Sequence, residues 1–132
     1  MKQLIFAGFA LGIAAATFAT AASADTIAAS GTFTGLSDHI TTGGVTIVET
    51  SGGGSVVILN ADFSLDGAPD PSVGFGINGE YVAASDLGEL TSINGLQAYP
   101  VPAGLDVTDF TEVFIWCDEF SVPLGVAALS NT

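Results

Sequence analysis

The sequence predicts an all-β protein, an antiparallel β-sandwich with a closed β-barrel as the alternative, and three observations predict it. Short runs rich in β-branched and aromatic residues recur along the chain, no long stretch carries the 3.6-residue period of a helix, and glycine-containing turn pairs fall between the runs. The chain has 132 residues and 48% hydrophobic content, enough for one core and too little for two domains. Doubling or closing the sheet also protects strand edges in a chain with no lysine after Lys2 to guard them.

The first element is a leader and not a strand. Lys2 precedes an apolar run from Leu4 to Ala22, and Ala22-Ser23-Ala24 offers the small residues at which a signal peptidase cuts. Residues 1–24 are therefore expected to be a signal peptide and 25–132 a single mature domain. Gly8, Gly12, Thr17 and Thr20 dilute the apolar run and no basic stop-transfer cluster follows, so no stable membrane anchor is expected after cleavage. No cysteine stands at the cut site to carry a lipid. The expected location is periplasmic or extracellular.

Strands are expected at Ile27 to Thr34, Val45 to Glu49, Ser55 to Leu59, Val73 to Ile77, Tyr81 to Ala84, Leu96 to Val101, Val113 to Cys117 and Val122 to Leu129. Gly43-Gly44, Gly52-Gly53-Gly54, Asp66-Gly67, Asn78-Gly79 and Asn94-Gly95 separate them with residues that tolerate positive φ. Val113-Phe114-Ile115-Trp116-Cys117 is apolar on both alternating faces and reads as a central strand, with Cys117 on the face of Val113 and Ile115. Gly74, Gly76 and Gly79 match a dinucleotide-binding spacing, but Glu80-Tyr81-Val82 stands where a helix would have to begin, so the segment reads as a hairpin about Asn78-Gly79.

Charge narrows the partners. The chain holds 14 Asp and Glu against one Lys or Arg, and that one, Lys2, leaves with the leader. Nucleic acid and anionic lipid need basic residues that the mature surface lacks. The charge reads first as solubility in a salty medium and second as recognition of a cationic partner.

Gly31-Thr32-Phe33, Ser37-Asp38-His39, Val45-Thr46-Ile47-Val48 and the run from Asp62 to Pro71 form one set of marks. Asp86-Leu87-Gly88, Gln97, Tyr99, Val101-Pro102, Asp106, Phe110, Ile115-Trp116-Cys117, Phe120-Ser121 and Pro123 to Leu129 form another. Together they resemble the DM thirteen domain family over about a hundred residues. The resemblance implies an extracytoplasmic β-module, found alone in bacteria and beside DOMON or cytochrome-type domains elsewhere, with a lone cysteine suspected of redox activity and a redox partner protein. The absence of basic residues and the Gly-rich loop at 51–54 depart from the pattern and bear on partner surfaces more than on the fold.

Cys117 is the redox candidate, and an odd cysteine in an exported protein has three readings: a buried small hydrophobe, a metal or haem ligand with His39 as partner, or an intermolecular disulfide that would set the oligomeric state. Asp118 and Glu119 oppose a reactive thiolate beside it, which argues against a cysteine nucleophile. His39, the single histidine, is a candidate ligand, or a turn residue bonded to backbone or to Asp38. Ser37-Asp38-His39 cannot close a triad on itself, because successive side chains of an extended chain diverge. A blue-copper site needs more histidine, an iron–sulfur cluster more thiolates, and covalent haem a Cys-x-x-Cys-His run. The cofactors left open are noncovalent haem or a metal ion. Asp62, Asp66 and Asp70, four apart in a turn-rich segment, are a candidate site for a hard cation, with Asx-turns as the competing account. The functional expectation is a redox or electron-transfer accessory module without enzymatic activity of its own. The alternative is a noncatalytic binding or structural module whose cysteine packs in the core.

Overall fold

The computed structural model describes residues 24–132, so the expected leader, Ala24 aside, lies outside the described residues. Twelve strands follow in order: β1 (Thr26–Gly35), β2 (Thr41–Thr42), β3 (Gly44–Glu49), β4 (Ser55–Leu59), β5 (Ser64–Leu65), β6 (Pro71–Ile77), β7 (Glu80–Val82), β8 (Gly88–Glu89), β9 (Gln97–Pro100), β10 (Glu112–Cys117), β11 (Val122–Ala128) and β12 (Ser130–Asn131). Single 3-10 turns stand at Ala83–Ser85 and Val107–Asp109. No helix among the described residues is long and apolar enough to cross a membrane.

Ten strands make one antiparallel sheet in the order β7-β6-β10-β11-β1-β3-β4-β9, with β12 paired to β1 and β8 to β6. The sheet curls because β1 changes neighbours along its length. Its residues Thr26 to Thr32 pair with β3, and Phe33 to Gly35 pair with β11. A bulge at Ala28 adds local twist to this corner strand. Val57, Leu59 and Tyr99 from one half thereby join Val73, Phe75, Val113, Ile115 and Cys117 from the other in a single core. The fold is the expected all-β sandwich, made by one sheet curled into a half-barrel. Among the described residues no ladder joins β7 to β9, so the barrel alternative is not formed.

Local chemistry explains the boundaries. Asn78 (φ 51°) and Gly79 (φ 91°) make the turn between β6 and β7, both in the left-handed region that hairpin turns of this hand require. The strand expected to run to Ala84 stops at Val82 because Ser85 is buried against β6: its hydroxyl accepts the Phe75 N–H at 2.8 Å and donates to the Val82 carbonyl at 2.6 Å. That side chain occupies the position where a longer β7 would have bonded. The small sheet of β2 with β5 is anchored by Thr41, which is buried and donates its hydroxyl to the Leu124 carbonyl at 2.8 Å. Gly125 makes room for it, since a Cβ there would come within 2.7 Å of the Thr41 Cβ.

Candidate functional site

Cys117 ends β10, flanked by Pro71 of β6 and Val122 of β11. It is 1% exposed and shares the inward face with Val113 and Ile115, as the alternation predicts. Its thiol donates to the Pro69 carbonyl at 3.1 Å, and the next residue's N–H, that of Asp118, donates to the Asp70 carbonyl at 3.0 Å. The end of β10 is thus tied to the 66–70 loop by two bonds, one from a side chain and one from the backbone.

The opposite end of that loop holds the histidine. Ser37 (φ 55°) and Asp38 (φ 63°) turn the chain so that the His39 ring reaches Asp66, with Nδ1 at 2.9 Å from Oδ1. The carboxylate that orients His39 is Asp66, 27 residues away, and not its neighbour Asp38. This bond, then the Ile40 backbone, holds the Asp66 carboxyl below its ordinary range. A histidine fixed at Nδ1 by a carboxylate presents Nε2 as its ligating atom.

The three aspartates of the 62–70 segment have separate engagements. Asp62 accepts the Gly44 N–H at 3.0 Å, Asp66 holds His39, and Asp70 (φ 52°) faces Glu89. Among the described residues no three His, Cys, Asp or Glu side chains gather closely enough to hold a metal ion.

The outward face of β10 carries a feature that the sequence reading did not assemble. Tyr81 of β7 reaches across β6 and stacks on Trp116, with ring centroids 4.2 Å apart and planes 11° from parallel, and meets Phe114 edge-on at 5.9 Å. The intervening residues of β6 are Ser72, Gly74 and Gly76, opposite Trp116, Phe114 and Glu112 in the ladder. A Cβ on Gly74 would come within 2.8 Å of the Tyr81 ring, and one on Gly76 would overlap the Phe114 ring. Two of the three glycines of the apparent dinucleotide motif, Gly74 and Gly76, are therefore floor space for aromatic rings. Alternation was the available signal: Phe114 and Trp116 had to face away from Cys117, and glycine at every second position of β6 leaves a groove on one face.

Carboxylates surround this aromatic patch. Burial, then the charges of Asp86 and Asp118, push the Tyr81 phenol up to about 12, while the adjacent Ser72 hydroxyl acts in the opposite sense. Glu89, opposite Ser72 in the ladder, is raised by sharing a hydrogen bond with Asp70 and by the charges of Asp70 and Asp118. Ser72 is fully buried beneath the rings, and its Oγ has no partner in hydrogen-bonding geometry.

A family model described as Electron transfer DM13 matches residues 32–129, which takes in every strand from the last part of β1 to β11. The chain belongs to the Electron transfer DM13 family. No curated protein and no solved structure matches it. Membership in this family implies a redox function, and the described residues can be tested against the centres that would supply one. As folded, the Cys117 sulfur is enclosed by the core and donates to the Pro69 carbonyl, so it could take a ligand role only if that contact gave way. His39 and Cys117 also hold different partners at opposite ends of the 66–70 loop, so the DM13 domain does not bring its two ligand candidates into one metal-binding group. A separate cavity of about 570 Å³ lies beside β1, β12 and the 107–109 turn, lined by Ile27, Ile47, Glu49, Val107 and Phe110 among others, and includes neither candidate.

Proposed function

We propose that this DM13 domain is an exported redox or electron-transfer accessory module that works with a redox partner protein in the periplasm or outside the cell. The carrying observation is the Electron transfer DM13 match, which spans the core from Phe33 to Ala127 and includes Cys117. The leader-like run from Lys2 to Ala24 supports export. Cys117 is the first redox candidate and His39 the second. In this reading the 66–70 loop is the natural point of control, since the thiol is reached only when Pro69 moves away from it. A second reading, a noncatalytic binding or structural module, is favoured by one observation: the thiol is 1% exposed and already bonded.

Native mass spectrometry separates the two readings. The chain is exported through its own leader, purified without chelator, and compared with its Cys117→Ser variant. The electron-transfer reading predicts a stoichiometric mass above that of the polypeptide, lost in the variant while the fold is kept. A bare monomer of unchanged mass in both forms would support the structural reading, and a dimer dissolved by reductant would assign Cys117 to an intermolecular disulfide.

A further inference from the structure

We propose that the outer face around the Tyr81–Trp116 stack, rimmed by Asp86, Glu89 and Asp118, is the docking surface for a lysine- and arginine-rich face of a partner protein. The inference rests on the electron-transfer reading for the partner's redox character and adds to it the place and chemistry of contact. Interfaces concentrate their binding energy in central aromatic residues ringed by polar groups that exclude water, and Trp and Tyr are the preferred anchors. Here Trp116 and Tyr81 are half-buried and stacked on each other, and Tyr81 lies against Gly74 of β6, so the rings are held in place before any partner arrives. Phe120, 63% exposed at the tip of the β10–β11 hairpin, extends the apolar surface at the same end of the strand.

Charge selects the occupant. The carboxylates whose fields reach Tyr81 and Glu89 are Asp70, Asp86 and Asp118, with no basic side chain among them. Among the described residues no three carboxylates gather closely enough to cage a small cation. Spread carboxylates suit several ammonium and guanidinium groups at once, and a cation that reaches the ring faces gains a further attraction from them. The crowding with Asp70 and Asp118 that raises the Glu89 carboxyl is relieved by the same incoming charges. Attraction between opposite surfaces speeds encounter and fixes orientation, and it weakens as salt rises.

The test uses the exported chain, isotopically labelled, and a lysine-rimmed c-type cytochrome as probe, with an acidic cytochrome of similar size as the charge control. The chain has one tryptophan, so a single indole N–H resonance reports on Trp116. The basic probe is expected to shift that resonance at low ionic strength and the acidic one to leave it in place. Neutralising the rim with Asp86→Asn, Glu89→Gln and Asp118→Asn together is expected to slow association about tenfold or more. Neutralising Glu49→Gln at the end of β3 together with Asp106→Asn and Asp109→Asn at the 107–109 turn should slow it less than about threefold. Equal losses in the two triple variants, or an indole signal that does not move, would overturn the proposal. Because this measurement reads association and not electron flow, its failure leaves the electron-transfer reading to the mass measurement, and a bare polypeptide there leaves the docking surface standing.

Discussion

On the inner face of β10, Val113, Ile115 and Cys117 pack against aliphatic and aromatic neighbours from both halves of the curled sheet, and the one polar atom among them, the thiol, is matched to a carbonyl. On the outer face, two residues of the same strand, Phe114 and Trp116, pack with Tyr81 over a strip of serine and glycine, under the fields of several carboxylates and with a buried hydroxyl left unmatched. The inner arrangement is closed and satisfied, as a core requires. The outer one is apolar, charged at its edge and partly open, which a chain shaped by stability alone would have little reason to keep. One strand therefore presents two unlike faces, and residues one position apart stand in different environments.

Substitutions can sharpen that contrast. The largest effect is expected inside: Ile115→Ala removes a fully buried side chain and should cost roughly 2–5 kcal/mol by denaturant unfolding. Next comes the floor of the outer face, where Gly76→Ala would overlap the Phe114 ring and bring the new Cβ within 2.8 Å of the Glu80 carbonyl oxygen. A loss of about 1–3 kcal/mol is expected there, and the near-ultraviolet dichroism of the aromatic cluster should change with it. Gly104→Ala, with nothing near its Cβ, should stay within about 0.5 kcal/mol of the parent and serves as the control. If Gly76→Ala were as mild as the control, the rings would not be packed on β6 as described.

Cys117→Ser is expected to cost less than Gly76→Ala and more than the control, about 1 kcal/mol, because a hydroxyl can still donate toward the Pro69 carbonyl, though from slightly farther away. That mildness is what makes the variant useful for function. The smallest effect concerns alkali. The Tyr81 phenol is raised from 10.0 to about 12, so the folded state keeps its proton where the unfolded state gives it up. Stability from this group is fully present below pH 10.0 and is lost as pH rises through about 12. Phenolate absorbance should show one tyrosine ionising near pH 12, and that step should be missing from Tyr81→Phe.

Much of the fold was legible because the long strands state their alternation openly. Ser55–Leu59 is bounded as expected, β10 is a central strand paired on both edges, and the Asn78-Gly79 hairpin falls where positive φ is tolerated. The short strands were not legible. β2, β5, β8 and β12 are two residues each, too brief to show a period, and each exists only because a longer element offers it an edge or a hydroxyl a buried partner. The site divides in the same way. Cys117's face followed from counting along one strand. The union of His39 with Asp66 depends on a loop whose left-handed residues, Ser37 and Asp38, are not glycine or asparagine and give little warning. The aromatic patch needed three strands to be placed side by side before Tyr81 could be seen to cross the glycines of β6.

Direct electrochemistry on the exported chain tests the central claim, that this DM13 domain passes electrons. The account predicts a reversible wave from the folded parent protein, lost or displaced in Cys117→Ser with the fold retained. A folded parent chain that stays electrochemically silent, as purified and after exposure to transition metal ions and haem, would contradict it.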